Sequence, residues 1–87
     1  MPQIAFFLGI KILMNYNDHN PPHFEAWYGE HRASIGINPL AVLAGNLPPR
    51  VLALVMEWSA LYNKELLQNW ELRSRKEPLF AIPGLDQ

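Results

Sequence analysis

Along the first half of the chain apolar and polar residues alternate; in the second half they recur at helical spacing. Ile4 to Leu8 is an apolar run containing Phe6 and Phe7, broken by Gly9. Ile10, Ile12, Met14 and Tyr16 then alternate with Lys11, Leu13 and Asn15, the period of a half-buried strand. The segment Asn17-Asp18-His19-Asn20-Pro21-Pro22 cannot extend that strand. Two prolines remove two backbone donors and push the residue before each toward extended geometry. They also leave the segment few conformations to lose, so an ordered loop is expected.

The clearest local pattern comes next. Phe24, Ala26 and Tyr28 alternate with His23, Glu25 and Trp27; after Gly29-Glu30, Ala33, Ile35 and Ile37 alternate with Arg32, Ser34 and Gly36. Two turn residues beginning with glycine predict a type II′ hairpin. Its register pairs Tyr28 with His31, Trp27 with Arg32, Ala26 with Ala33, Glu25 with Ser34, Phe24 with Ile35 and His23 with Gly36. Phe24, Ala26, Ile35 and Ile37 then form an apolar face, and His23, Glu25, Trp27, Arg32 and Ser34 a polar one. A slip of one residue would turn Glu25 into the core, so the register is well specified.

Asn38-Pro39 ends the hairpin, Leu40 to Ala44 predicts one more short strand, and Gly45-Asn46 closes the sheet half. Pro48 or Pro49 suits the first turn of a helix, where a missing N–H costs nothing. Val51, Val55, Trp58, Leu61 and Tyr62 follow at helical spacing, continued by Leu66, Leu67 and Trp70, with the Trp58, Leu61 and Trp70 stripe expected to be core, or core plus an interface. A single helix from 49 to 75 would be about 40 Å long. That exceeds the roughly 25–30 Å diameter of a domain this size, which predicts a kink or break near Asn63. Residues 76–87 are expected to be an irregular tail from which Leu79, Phe80 and Ile82 can dock. Strands first and helix second predict one α+β domain over residues 1–87: a mostly antiparallel sheet from 3 to 44, covered on one face by the helical segment from about 49 to 75.

Composition narrows the function. With 87 residues there is room for one core, and 49% hydrophobic content is enough to fill it. The absence of cysteine excludes disulfides and thiolate metal sites. The apolar run near the start is too short to span a bilayer and lacks the basic flank of a signal peptide, so a cytoplasmic, non-membrane protein is expected. A net charge of −1 argues against nucleic-acid binding driven by charge. The one basic group, Arg73, Arg75 and Lys76, is diluted by Glu71 and Glu77 and is expected to be a solvated helix end.

Candidate chemistry concentrates between Asn17 and Glu25. His23 and Glu25 share a strand face, and the loop carrying Asp18 and His19 can fold back over it. Gly36, opposite His23, is expected to leave space there. His19, His23 and Glu25 form a candidate ligand set for a divalent metal such as iron or zinc. The same groups allow acid–base chemistry, with His19, His23 and Asp18 as catalytic candidates. Short sets of this kind are usually structural, and these residues allow that arrangement too: Asn17 and Asp18 are turn formers, His19 can satisfy loop carbonyls, His23 can pair with Glu25, and Trp27 can stack under Arg32.

The chain resembles the small bacterial proteins grouped as domain-of-unknown-function family 4160. The resemblance rests on Met1-Pro2-x-Ile4, Gly9-Ile10, the block from Asn17 to Phe24, Tyr28-Gly29, Ala33-Ser34-Ile35, Leu47-Pro48, Glu57-Trp58, Glu65-Leu66-Leu67 and Asn69-Trp70. The D-H-x-P-P-H block is the most specific of these. Where many members have a further histidine two places after His23, this chain has Glu25, which keeps a metal ligand but not an imidazole. Family members are commonly encoded beside another small protein in pairs resembling toxin–antitoxin modules. The resemblance therefore implies a partner protein from a neighbouring gene.

Two functions follow as expectations. The first is a non-enzymatic interaction module that binds that partner or itself, with Trp27 and Arg32 at the interface. The alternative is a metal- or histidine-dependent hydrolase, RNase-like in a toxin's role, working through the D-H-x-P-P-H-x-E cluster.

Overall fold

The computed structural model describes residues 1–87. Five strands, β1 (Gln3–Phe7), β2 (Ile10–Leu13), β3 (His23–Tyr28), β4 (His31–Ile37) and β5 (Leu40–Asn46), precede two helices, α1 (Pro49–Leu61) and α2 (Asn63–Ser74). The strands form one antiparallel sheet in the order β1-β2-β3-β4-β5, each pairing with its neighbour in sequence. The architecture is α+β, with both helices on one face.

The β3–β4 hairpin has all six of the cross-strand pairs that alternation predicts, from Tyr28–His31 to His23–Gly36. Gly29 has φ +57° and Glu30 does not share a positive φ, as a type II′ turn requires. Two boundaries differ from expectation. Strand β2 stops at Leu13, because the chain turns at Asn15, whose side-chain oxygen accepts from the amide of Asn17. Strand β5 runs on to Asn46, with Gly45 at φ +74° tucked so close to β4 that a Cβ would collide with the Arg32 carbonyl oxygen.

The core lies between the sheet and the helices. Phe7, Ile10, Ile12, Phe24, Ala26, Ile35 and Ile37 from the sheet meet Val51, Val55, Trp58 and Leu66 from the helices. Trp58 is its centre: fully buried, it packs against Phe7 at 5.2 Å and edge-on against Phe24 at 5.8 Å between ring centroids.

The helical segment breaks at Tyr62, one residue from the expected place. Asn63 pins the elbow by donating from Nδ2 to the Ile37 carbonyl at 2.8 Å. Leu61 departs from the expected core stripe: it is 64% exposed, because it is the last residue before the break and points away from the sheet.

The tail is irregular but tightly fastened. Asn69 holds it through both atoms of its amide, donating to the Phe80 carbonyl and accepting from the Phe80 amide. Trp58 Nε1 donates to the Pro83 carbonyl at 2.7 Å, and the Ile82 amide to the Ile4 carbonyl at 2.8 Å. Ile82 is buried and Leu79 half-buried, whereas Phe80 stays exposed. Gly84 packs so tightly on Phe7 that a Cβ there would collide with it.

Candidate functional site

The segment from Asn17 to Glu25 splits into three environments. His23, at the start of β3, is placed between acceptors: Nδ1 lies 2.9 Å from the Pro21 carbonyl oxygen, and Nε2 lies 3.1 Å from Asp18 Oδ2. The second contact is a close approach without a well-angled hydrogen bond, and Asp18 Oδ2 is otherwise buried and unpartnered. The imidazole also packs on Trp70 of α2, with ring centroids 5.3 Å apart. Both ring nitrogens thus face oxygen atoms of the protein, so His23 partners Asp18 rather than Glu25.

Glu25 belongs to a separate group. Its Oε2 accepts from Ser34 Oγ at 3.1 Å and its Oε1 from Trp27 Nε1 at 3.3 Å. His19 is exposed on the loop and makes no hydrogen bond. The structure therefore does not bring His19, His23 and Glu25 together, and no three His, Asp or Glu side chains surround a common point.

The space expected beside His23 is also filled. Gly36 is buried; a Cβ there would lie 3.0 Å from the Pro39 carbonyl oxygen and 3.5 Å from Leu43 Cδ2. The chain's own β4–β5 turn occupies that position.

One residue of the cluster escaped the reading of the sequence, and another does more than was expected of it. Arg73, expected at a solvated helix end, is buried. Its Nη1 donates to the Tyr16 carbonyl at 3.0 Å and the Asp18 carbonyl at 2.9 Å, and its guanidinium lies 3.8 Å from the Trp70 ring centroid. Trp70 is in the core as expected and also carries both the imidazole of His23 and the guanidinium of Arg73. The one available signal was their i, i+3 spacing, which puts both side chains on one helix face. Together, Asp18, His23, Trp70 and Arg73 fasten the Pro-Pro loop to α2.

This division predicts opposite outcomes for neighbouring residues. His19→Ala is expected to leave the stability measured by urea unfolding unchanged within about 0.5 kcal/mol. Asp18→Ala should lower it by about 1 kcal/mol, a modest figure because the Asp18 side chain is 25% exposed. Equal losses from the two substitutions would contradict the geometry.

On the sheet face away from the core, cross-strand registers align one residue from each strand: Phe6, Lys11, Trp27, Arg32 and Asn46. Arg32 lies 3.6 Å over the Trp27 ring and the Lys11 ammonium 5.8 Å from it. Phe6 is 54% exposed and Arg32 exposed, while Trp27 is half-buried. Beside this row is a shallow hollow of about 160 Å³ lined by Glu25, Arg32, Ser34 and Ala44. The largest hollow, about 710 Å³, lies in the crook of the helices between Leu61, Lys64, Leu67 and Glu71, and none of Asp18, His19, His23, Glu25, Trp27 and Arg32 borders it. No helix is long and apolar enough to cross a membrane.

A family model described as Domain of unknown function (DUF4160) matches residues 9–71. No curated protein and no solved structure matches the chain.

Proposed function

We propose that this chain, which belongs to the DUF4160 family, is a non-enzymatic interaction module of the cytosol whose open sheet face docks a partner protein. The partner is the product of a neighbouring gene, in a two-gene module of the toxin–antitoxin kind. The observation that carries this reading is the Trp27–Arg32 pair at the middle of the open face. Tryptophan and arginine are the residue types that most often concentrate binding energy at an interface. This pair is also held in place before any partner arrives: Glu25 accepts the indole N–H, and the guanidinium stacks on the ring. Side chains already fixed lose less entropy on binding. Phe6 on one side and the hollow by Ser34 on the other extend the surface across the sheet.

Sedimentation of the protein with its neighbour's product tests this. Trp27→Ala is expected to weaken the complex by at least about 2 kcal/mol, roughly thirtyfold in Kd. Leu61→Ala, on the exposed side of the helical elbow, should leave it unchanged. If Trp27 is merely capped by Arg32, the substitution lowers stability and leaves partner affinity intact, and the reading fails. No complex at tens of micromolar would also end it.

A further inference from the structure

The five strands contain three residues of the Asp, Glu, Lys and Arg types, Lys11, Glu25 and Arg32, and all three lie on the open face. Glu25 is committed within that face, one oxygen to Trp27 Nε1 and the other to Ser34 Oγ. The two cations are not. Elsewhere Arg75 pairs with Glu71 and Glu77. Lys11 and Arg32 have no carboxylate within 4.0 Å and donate no side-chain hydrogen bond to the protein. Each meets the Trp27 ring in its place, at 5.8 and 3.6 Å.

Their placement follows from register. Lys11 and Arg32 are the cross-strand neighbours of Trp27 on its two sides. Two like charges therefore stand two strands, about 10 Å, apart with an indole between them. The π face of the indole attracts both cations but supplies no net charge. The open face is thus net +1 in a chain of net −1. Its excess positive charge falls in one row, which ends at the exposed Phe6.

We propose that the open face recognises an acidic segment of the partner protein. One carboxylate of that segment meets Lys11, a second meets Arg32 about 10 Å away, and an apolar side chain beyond the first rests on Phe6. This rests on the docking reading above and names the chemistry of what docks. A guanidinium stacked on a ring keeps its N–H edge free, and that planar fork matches a carboxylate. Lys11 adds a point charge on the other side of the indole. Complementary charge of this kind selects the partner and speeds encounter more than it raises affinity. Single-stranded nucleic acid fits the row less well. Its bases need a free aromatic face and its phosphates a basic track, whereas Arg32 lies over the half-buried Trp27 and the row offers two cations.

Two measurements test this and separate it from docking itself. In sedimentation with the neighbouring gene's product, Lys11→Glu should weaken the complex about tenfold. Lys11→Gln, which sets no new carboxylate beside Glu25, should weaken it by a smaller factor. Lys64→Glu, exposed on α2, should leave it unchanged. Salt raised from about 0.1 to about 1 M shortens the screening length from about 10 to about 3 Å and should weaken the wild-type complex as well. A complex weakened by Trp27→Ala but not by either Lys11 variant overturns the acidic segment and leaves docking standing.

The second measurement needs no neighbour. A capped peptide of alternating glutamate and leucine is titrated to millimolar concentration, with its glutamine counterpart and oligouridylate as comparisons. In nuclear magnetic resonance the glutamate peptide should shift the Trp27 indole N–H and the Lys11 and Arg32 amides. Lys11→Glu should abolish these shifts while the rest of the spectrum stays that of the folded domain. No shift with the glutamate peptide, or equal shifts with the glutamine peptide or oligouridylate, would overturn the inference. If the glutamate peptide binds and the neighbour's product does not, the neighbour is the wrong partner and the preference for an acidic segment stands.

Discussion

Trp58→Ala is expected to remove about 3–5 kcal/mol of stability, the range for deleting a fully buried aromatic side chain. Domains of this size hold only about 4–13 kcal/mol in total, so the variant should be largely unfolded in moderate urea. The indole does two things that alanine cannot. It fills the space between Phe7 and Phe24 at the centre of the core, and its Nε1 donates to the Pro83 carbonyl that fastens the tail. Trp58→Phe separates these roles. It keeps an aromatic ring in the core while losing the hydrogen bond and part of the indole's volume, so its cost should be closer to about 1–2 kcal/mol. Urea unfolding followed by circular dichroism gives both figures. A Phe variant as unstable as the Ala variant would mean that the tail contact, not core filling, dominates.

Arg73→Ala is expected to cost about 3 kcal/mol, an unusual loss for a residue at the end of an outer helix. Two charge-assisted bonds to loop carbonyls and a stack on Trp70 disappear together. In a domain of 60–100 residues each kcal/mol moves Tm by about 4–8 °C, so a fall on the order of 15 °C should be seen. Arg73→Lys should recover only part of it, because an ammonium can donate to the carbonyls but lacks the planar guanidinium that stacks on the indole. Hydrogen exchange in residues 15–23 should rise in the same variant. Melting unchanged by Arg73→Ala would restore the picture of a solvated basic cluster.

Most of the sheet was legible in the sequence because period-2 alternation and a glycine turn act locally. The β3–β4 register needed only the spacing around Gly29-Glu30. The helix break was legible from length alone, since an unbroken helix would overshoot the domain. Leu61 misled because helical periodicity cannot say where a face ends when the axis bends. The polar segment was harder. From the strand pattern His23 and Glu25 share a face, but the imidazole packs on Trp70 of α2 and meets Asp18, while Glu25 is claimed by Ser34 and Trp27. Which carboxylate meets the imidazole depends on the path of the Pro-Pro loop, and that path is set by Arg73, far along the chain. Charge beside charge at a helix end reads as solvent exposure; only the tertiary fold shows the carbonyls awaiting Arg73.

The order of the strands also implies an order of assembly. Because every strand pairs with its immediate neighbour in sequence, each step of sheet formation closes only a short stretch of chain. Such closures lose little chain entropy and favour quick folding. The contacts of Arg73 with Tyr16 and of Ile82 with Ile4 close far longer loops, and they gain most once the sheet and core already hold their partners in place. The meander can therefore form first as a template, with the helix pin and the tail contact locking it afterwards.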